Sequence, residues 1–260
     1  MTEPSLFAEE RKQRIAELVV RHRKATVAEL CREFRVSGAT IRNDLRDLQG
    51  TGVLVRTHGG AMVQSKTGLE ADSHQKEVCH LEAKRRIAEA AIELVDDGDT
   101  ILLDTGTTTL ELARLLHRRR NLTVVTNDLP IALVLEEHES LTVVVMGGVL
   151  RQRFHCTLLS GAAWSGTLAG LTVDKAFLGV NCLSFDKGAT TPDLRHAETK
   201  TLMARMAVSL ILLCDRSKFG VTSFARFAAL EDIDTLVTDR IEPKEREALE
   251  GRGIAIVVPR

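Results

Sequence analysis

The chain has 260 residues, more than one typical domain and fewer than three, and enough to bury a substantial core. Its composition, 44% hydrophobic and 27% charged, is that of a folded protein and excludes intrinsic disorder. The formal net charge of -1 hides a small asymmetry: residues 1–63 carry 11 Lys/Arg against 8 Asp/Glu and the remainder 24 against 28, a basic head on an acidic body that suits a nucleic-acid contact at one end.

Three helices are predicted in the first fifty residues. The first spans 7–22 with Ile15, Leu18 and Val19 on one face. The second opens at Thr26-Val27-Ala28-Glu29, a capping box, and its apolar face is Val27, Leu30, Cys31 and Phe34. Ser37 caps the third, whose buried stripe is Ile41, Leu45 and Leu48 and which Gly50 and Gly52 stop. A short strand at 53–56 and a tight turn at His58-Gly59-Gly60 follow, the makings of a hairpin, or wing. Residues 1–61 are therefore expected to form a winged helix-turn-helix. Periodicity is lost over 62–80, which is expected to be a linker.

From residue 81 the pattern alternates. Helices are predicted at 82–95, 108–116, 129–137 and 197–207. Apolar strands are predicted at 100–104, 122–126, 142–146, 175–180, 209–214, 235–238 and 254–258. Continuous apolar strands between helices imply a mainly parallel sheet covered on both faces, so residues 81–260 are expected to be one α/β domain. The five cysteines, Cys31, Cys79, Cys156, Cys182 and Cys214, are dispersed and form no C-x-x-C pair; they read as reduced core residues. No stretch calls for a cofactor or a metal. The first fourteen residues have no apolar signal core and no run approaches membrane-spanning length, so the cytoplasm is the expected compartment.

Two constellations carry chemistry. With Ile41, Leu45 and Leu48 inward, the third helix turns Ala39, Asn43 and Arg46 outward and Thr40 and Arg42 to the flanks. Arginine donates two bonds to guanine and asparagine pairs with the adenine edge, so this face suits the major groove. Ser37 and Thr40, near the helix start, suit phosphates, and Arg56 and His58 suit the DNA backbone or minor groove. The competing reading is a small three-helix domain with a solvated polar face. In the second domain Asp104-Thr105-Gly106-Thr107-Thr108-Thr109 joins a strand to a helix, a natural anion cradle but neither a Walker loop nor a dinucleotide motif. Asn127, Gly147-Gly148, Lys175, Gly179 and Lys218 lie at or near other strand ends. Ligands of open α/β sheets bind beyond the carboxyl ends of strands, so these residues are expected to converge on one effector pocket, with Lys218 supplying charge for a phosphate.

The same segments resemble DeoR-type regulators. At the N-terminus the resemblance rests on Arg11-Lys12-Gln13-Arg14-Ile15, Phe34-Arg35-Val36-Ser37, Thr40-Ile41-Arg42-Asn43-Asp44-Leu45 and His58-Gly59-Gly60-Ala61; the family usually has a second Arg in place of Asn43. Further on it rests on Lys84-Arg85-Arg86-Ile87-Ala88, Asp104-Thr105-Gly106-Thr107-Thr108, Asp174-Lys175-Ala176-Phe177-Leu178-Gly179, Ala197-Glu198-Thr199-Lys200 and Asp215-Arg216-Ser217-Lys218-Phe219-Gly220. The resemblance implies a sensor domain related in fold to ribose-5-phosphate isomerase and CoA-transferase-like proteins. It also implies a regulator, usually a repressor, of sugar or polyol metabolism with three kinds of partner: operator DNA, a phosphorylated sugar or polyol effector, and further copies of itself. The rival is a sugar-phosphate isomerase-like enzyme, for which Asp104, Glu198, Lys200, Asp215 and Lys218 offer the chemistry. A third reading keeps the DNA reader and gives the second domain to oligomerisation alone.

Overall fold

The computed structural model describes residues 8–22, 24–50, 54–57, 59–63, 76, 79–159 and 170–259. The chain divides into two compact units, Met1–Ala71 and Asp72–Arg260.

Among its described residues the first unit has three helices, α1 (Ala8–His22), α2 (Val27–Phe34) and α3 (Gly38–Gly50), and three short strands, β1 (Lys24–Thr26), β2 (Leu54–Thr57) and β3 (Gly60–Val63). The Thr26–Glu29 capping box forms as the sequence dictates, the Glu29 amide donating to Thr26 Oγ1 at 3.2 Å and the Thr26 amide to Glu29 Oε2 at 2.7 Å. Ile15, Val19, Leu30, Ile41, Leu45 and Leu48 pack as one core, with Leu54 and Ala61 closing it from the wing. The hairpin runs on to Val63, two residues into the stretch expected to be linker, and gains a third strand because β1 pairs with β3. That pairing is tight: a Cβ on Gly60 would stand 2.1 Å from the Ala25 carbonyl oxygen, so only glycine fits there.

The second unit is built on a seven-stranded, all-parallel sheet in the order β15-β14-β12-β9-β4-β5-β6. Its strands are β4 (Thr100–Leu103), β5 (Thr123–Thr126), β6 (Thr142–Val145), β9 (Val173–Gly179), β12 (Ala207–Leu213), β14 (Thr235–Val237) and β15 (Ala255–Val257). They correspond to the seven apolar runs. Alternate residues serve opposite faces: Ile101 and Leu103 join one core with Ile87, Ile92, Leu112 and Phe177, whereas Leu102 joins another with Leu178, Met203 and Leu212. The helices covering the faces include α4 (Leu81–Ile92), α5 (Thr107–Ala113), α6 (Leu129–Glu136), α7 (Leu194–Met206) and α8 (Pro243–Glu250).

Two small antiparallel sheets have no counterpart in the sequence expectations. One pairs β7 (Val149–Arg151) with β8 (Cys156–Leu158); the other orders β10 (Cys182–Ser184), β11 (Gly188–Thr191) and β13 (Ala225–Ala228). The chain adds β5 and β6 on one side of β4, then crosses back to place β9 on the other. The strand order therefore reverses between β4 and β9, where an open α/β sheet leaves a crevice at its carboxyl end.

Candidate functional site

On α3 the Thr40 amide donates to Ser37 Oγ at 3.1 Å, and the two hydroxyls lie 2.9 Å apart, so Ser37 caps the helix. Ala39, Arg42, Asn43 and Arg46 are exposed, while Asp44 is turned inward and bound by Arg11 through Nε at 2.7 Å and Nη2 at 3.2 Å. This two-pronged ion pair ties α1 to the back of α3 and leaves the arginine-bearing face outward. Arg56 is half-buried on β2; His58 lies outside the described residues.

At the crevice of the second unit, Asp104 ends β4 and is fully buried. Its Oδ2 accepts from the Gly179 amide at 3.1 Å, at the end of β9, and from Lys200 Nζ of α7. Lys200 also donates to the Gly179 carbonyl at 2.8 Å and stands over the Phe227 ring at 5.0 Å. Burial pushes the Asp104 carboxyl above its ordinary range, and Lys200 pulls it back. Asp104 Oδ1 has no hydrogen-bond partner among the described residues, and His196 Nε2 lies 4.0 Å from it. Thr191 extends the cluster, donating to Asn181 Oδ1 at 3.0 Å with its hydroxyl 3.4 Å from His196 Nδ1.

One strand over, the Thr105 hydroxyl donates to Asp128 Oδ2 at 2.6 Å, and the Ile131 amide to Asp128 Oδ1 at 2.9 Å. Asp128 is thus the cap of α6, and burial pushes its pKa up to about 6. Asn127 is fully buried; its amide donates to the Thr157 carbonyl at 2.8 Å, leaving Oδ1 without a partner among the described residues. Thr107 and Thr108, half-buried, form the first turn of α5, whose first intrahelical bond is Leu110 N–H to Gly106 C=O, so their own amides precede the ladder. Lys218 follows β12, half-buried, its amide donating to the Asp215 carbonyl at 3.0 Å.

Most of the expected effector residues share this carboxyl rim: Asp104, Thr105, Gly106, Thr107, Thr108, Asn127, Gly147, Gly148, Gly179 and Lys218. Lys175 does not. It sits near the amino end of β9, opposite Ile101, and binds Asp96 and Asp99 at 2.7 Å each, a staple at the far rim. Thr109 also turns away, buried and donating to the Gly106 carbonyl at 2.8 Å. Gly148 has a packing reason: its φ is +147° and a Cβ would stand 2.3 Å from the Leu158 carbonyl oxygen. Glu198, named for the enzyme alternative, is exposed on α7. The sequence reading gave no binding role to Lys200, His196, Asp128, Thr191 or Lys84; the Asp193 cap of α7, three residues before His196, was the available signal for that helix's start. Among the described residues no cluster of His, Cys, Asp and Glu is suited to hold a metal, and no helix is long and apolar enough to cross a membrane.

Residues 79–240 match the family described as the DeoR C terminal sensor domain, and residues 11–67 the DeoR-like helix-turn-helix domain. The chain belongs to the DeoR family. This DeoR-family protein is 39% identical over 249 residues to the HTH-type transcriptional regulator GlpR of Haloferax volcanii, covering 95% of this chain and 96% of that one. It is 32% identical over 256 residues to the HTH-type transcriptional repressor GlcR of Bacillus subtilis, covering 97% of each. Among solved structures, ribose 5-phosphate isomerase A of Methanocaldococcus jannaschii is similar at 19% identity and a TM-score of 0.38 over 54% of each chain. As a DeoR-family member the protein is a helix-turn-helix transcription regulator, not an enzyme.

Proposed function

We propose that this regulator represses an operon of sugar or polyol metabolism, and that a phosphorylated sugar or polyol bound at the carboxyl rim of its sheet sets its affinity for operator DNA. The observation that carries this reading is the buried Asp104 Oδ1 at the strand-order reversal, without a hydrogen-bond partner among the described residues, in a chain that also carries a helix-turn-helix domain. A buried acceptor without a donor is costly, and a sugar hydroxyl satisfies it. Asn127 Oδ1 offers a second such acceptor. The amides of Thr107 and Thr108 and the charge of Lys218 suit the phosphate. The name of the Bacillus subtilis relative supports the sign of regulation.

On the DNA side, Ala39, Arg42, Asn43 and Arg46 read base edges, and Ser37, Thr40, Arg56 and His58 hold the backbone. The working form is at least a dimer in the cytoplasm, because one small head contacts too little DNA for strong specificity. The uncharged edge strand β6, with Val144 and Val145 at 40% and 47% exposure, suits pairing with a second copy. Control requires only that the effector bind one arrangement of the oligomer more tightly than the other.

A thermal-shift screen of phosphorylated sugars and polyols, with the unphosphorylated forms as controls, tests the effector class: binding to the folded state raises the melting temperature. Shifts that do not depend on the phosphate overturn it. In gel shifts, Arg42→Ala and Arg46→Ala weaken operator binding while the thermal response persists; normal affinity in both rejects the assigned reading face.

A further inference from the structure

The sensor sheet ends, on the β6 side, in an edge that carries none of the usual guards. Among the described residues β6 pairs with β5 alone. The Thr142 and Met146 amides donate toward β5, to the Leu122 and Thr126 carbonyls at 2.9 and 2.7 Å, so by the alternation of a strand Val143 and Val145 turn their N–H and C=O outward. Sheet edges are ordinarily blunted by charge, proline or a bulge. Residues 140–150 hold no charged side chain and no proline, and Val144, Val145, Val149 and Leu150 are exposed. The helix packed against β6, α6, is apolar from Leu129 to Leu135; a helix apolar all round is a buried one, yet Leu133 is 65% exposed.

The charges stand at the two ends of this bare stretch and have opposite signs. Glu136, Glu137 and Glu139, all exposed, precede it at the amino rim. Arg151 and Arg153 follow it at the carboxyl rim, where the 152–154 turn is tied to the start of α6 by the Leu129 amide donating to the His155 carbonyl at 2.9 Å. Arg151 is engaged with Asp193 at 3.7 Å, which leaves the exposed Arg153 for a partner. An edge that is acidic at one end and basic at the other is complementary to itself when turned end for end.

We propose that β6 pairs antiparallel with β6 of a second copy of this chain, about a two-fold axis through Val144, and joins the two sensor sheets into one. The proposal rests on the reading above that the working form is at least a dimer. In this register Val143 stands opposite the partner's Val145, and Val145 opposite the partner's Val143. Each pair exchanges both backbone bonds, so the outward groups of β6 are all satisfied. A slip of one residue sets them against Thr142 or Val144, whose own N–H and C=O are committed to β5. The antiparallel sense also brings the acidic end of each copy to the basic end of the other, whereas a parallel pairing sets like charges together.

Sedimentation equilibrium of the full chain without DNA tests this. The unsubstituted protein sediments as a dimer or a multiple of one. Val144→Lys sets two ammonium groups face to face on the axis and weakens that association by about 100-fold or more, with circular dichroism unchanged. Val145→Pro, which removes an N–H that β5 does not use, weakens it as well. Glu137→Arg with Glu139→Arg, and separately Arg153→Glu, each loosen the pair; all three substitutions in one chain restore it, because the ends have then exchanged signs. No defect of folding produces that rescue, and the three side chains are exposed. Undiminished association in Val144→Lys overturns the β6 pairing and leaves the dimer reading to another face. A triple variant that associates no better than its parents overturns the antiparallel sense. An unsubstituted chain that stays monomeric at its highest soluble concentration overturns the pairing and the dimer reading together.

Discussion

The two rims of the sensor sheet carry the same chemistry in opposite surroundings. At the amino rim Lys175 binds Asp96 and Asp99, with the Asp96 side chain 80% exposed. At the carboxyl rim Lys200 binds Asp104, with side chains 2% and 0% exposed. Water screens its Asp96 arm, while Lys175 and Asp99 are 21% and 14% exposed, so the cluster staples the loop before β4 to β9 at modest gain. The second has no water to fall back on, and each charge is tolerable only because the other is there. A Lys–Asp pair at a strand end thus says little until its rim and its burial are known.

Breaking the buried pair has the largest expected effect. Lys200→Ala leaves the buried Asp104 without its counter-charge, and denaturant unfolding should register a loss of about 3–5 kcal/mol. Replacing both partners, as Asp104→Leu with Lys200→Met, recovers most of that stability while abolishing the effector response; a double variant as unstable as the single one breaks the comparison. Next in size is the pH response of Asp128. Its pKa of about 6 in the fold lies above the ordinary value of 3.8. Between those values the folded state keeps a proton that the unfolded chain releases. The stabilisation is complete below about pH 4 and is lost as pH rises through 6, by about 3 kcal/mol in all. Asp128→Asn flattens that part of the stability profile. The smallest effect belongs to the amino rim. Lys175→Ala stays within about 1 kcal/mol, shrinks further in high salt and leaves the effector response unchanged; a loss of response sharpens the question of how far the two rims are coupled.

Much of the frame was legible because it rests on periodicity. Ile15 and Val19, then Ile41, Leu45 and Leu48, repeat at helical spacing and are buried, and the seven apolar runs became the seven parallel strands. The small sheets escaped notice because β10 and β11 are three and four residues long and hold Ser, Thr and Gly, which read as turn. Lys200 was hard to place for another reason. On a helix rich in charge, Leu194–Met206, a lysine reads as solvated, and only the packing of α7 against β9 and β13 buries it. Lys175 shows a simpler rule. It opens its predicted strand, and in a parallel sheet the opening residue lies at the amino rim, away from any ligand beyond the carboxyl ends.

Gly60 bears on how this reader can be retargeted. Its backbone passes so near Ala25 that the wing is welded to the start of α2, and no side chain can be inserted to reshape that joint. New operator preferences must therefore come from the letters written on α3, where positions 39, 42, 43 and 46 face outward and can be randomised at little risk to the core. A selection library confined to those four positions should yield folded variants throughout, whereas one that includes position 60 spends most of its members on chains that do not assemble the wing.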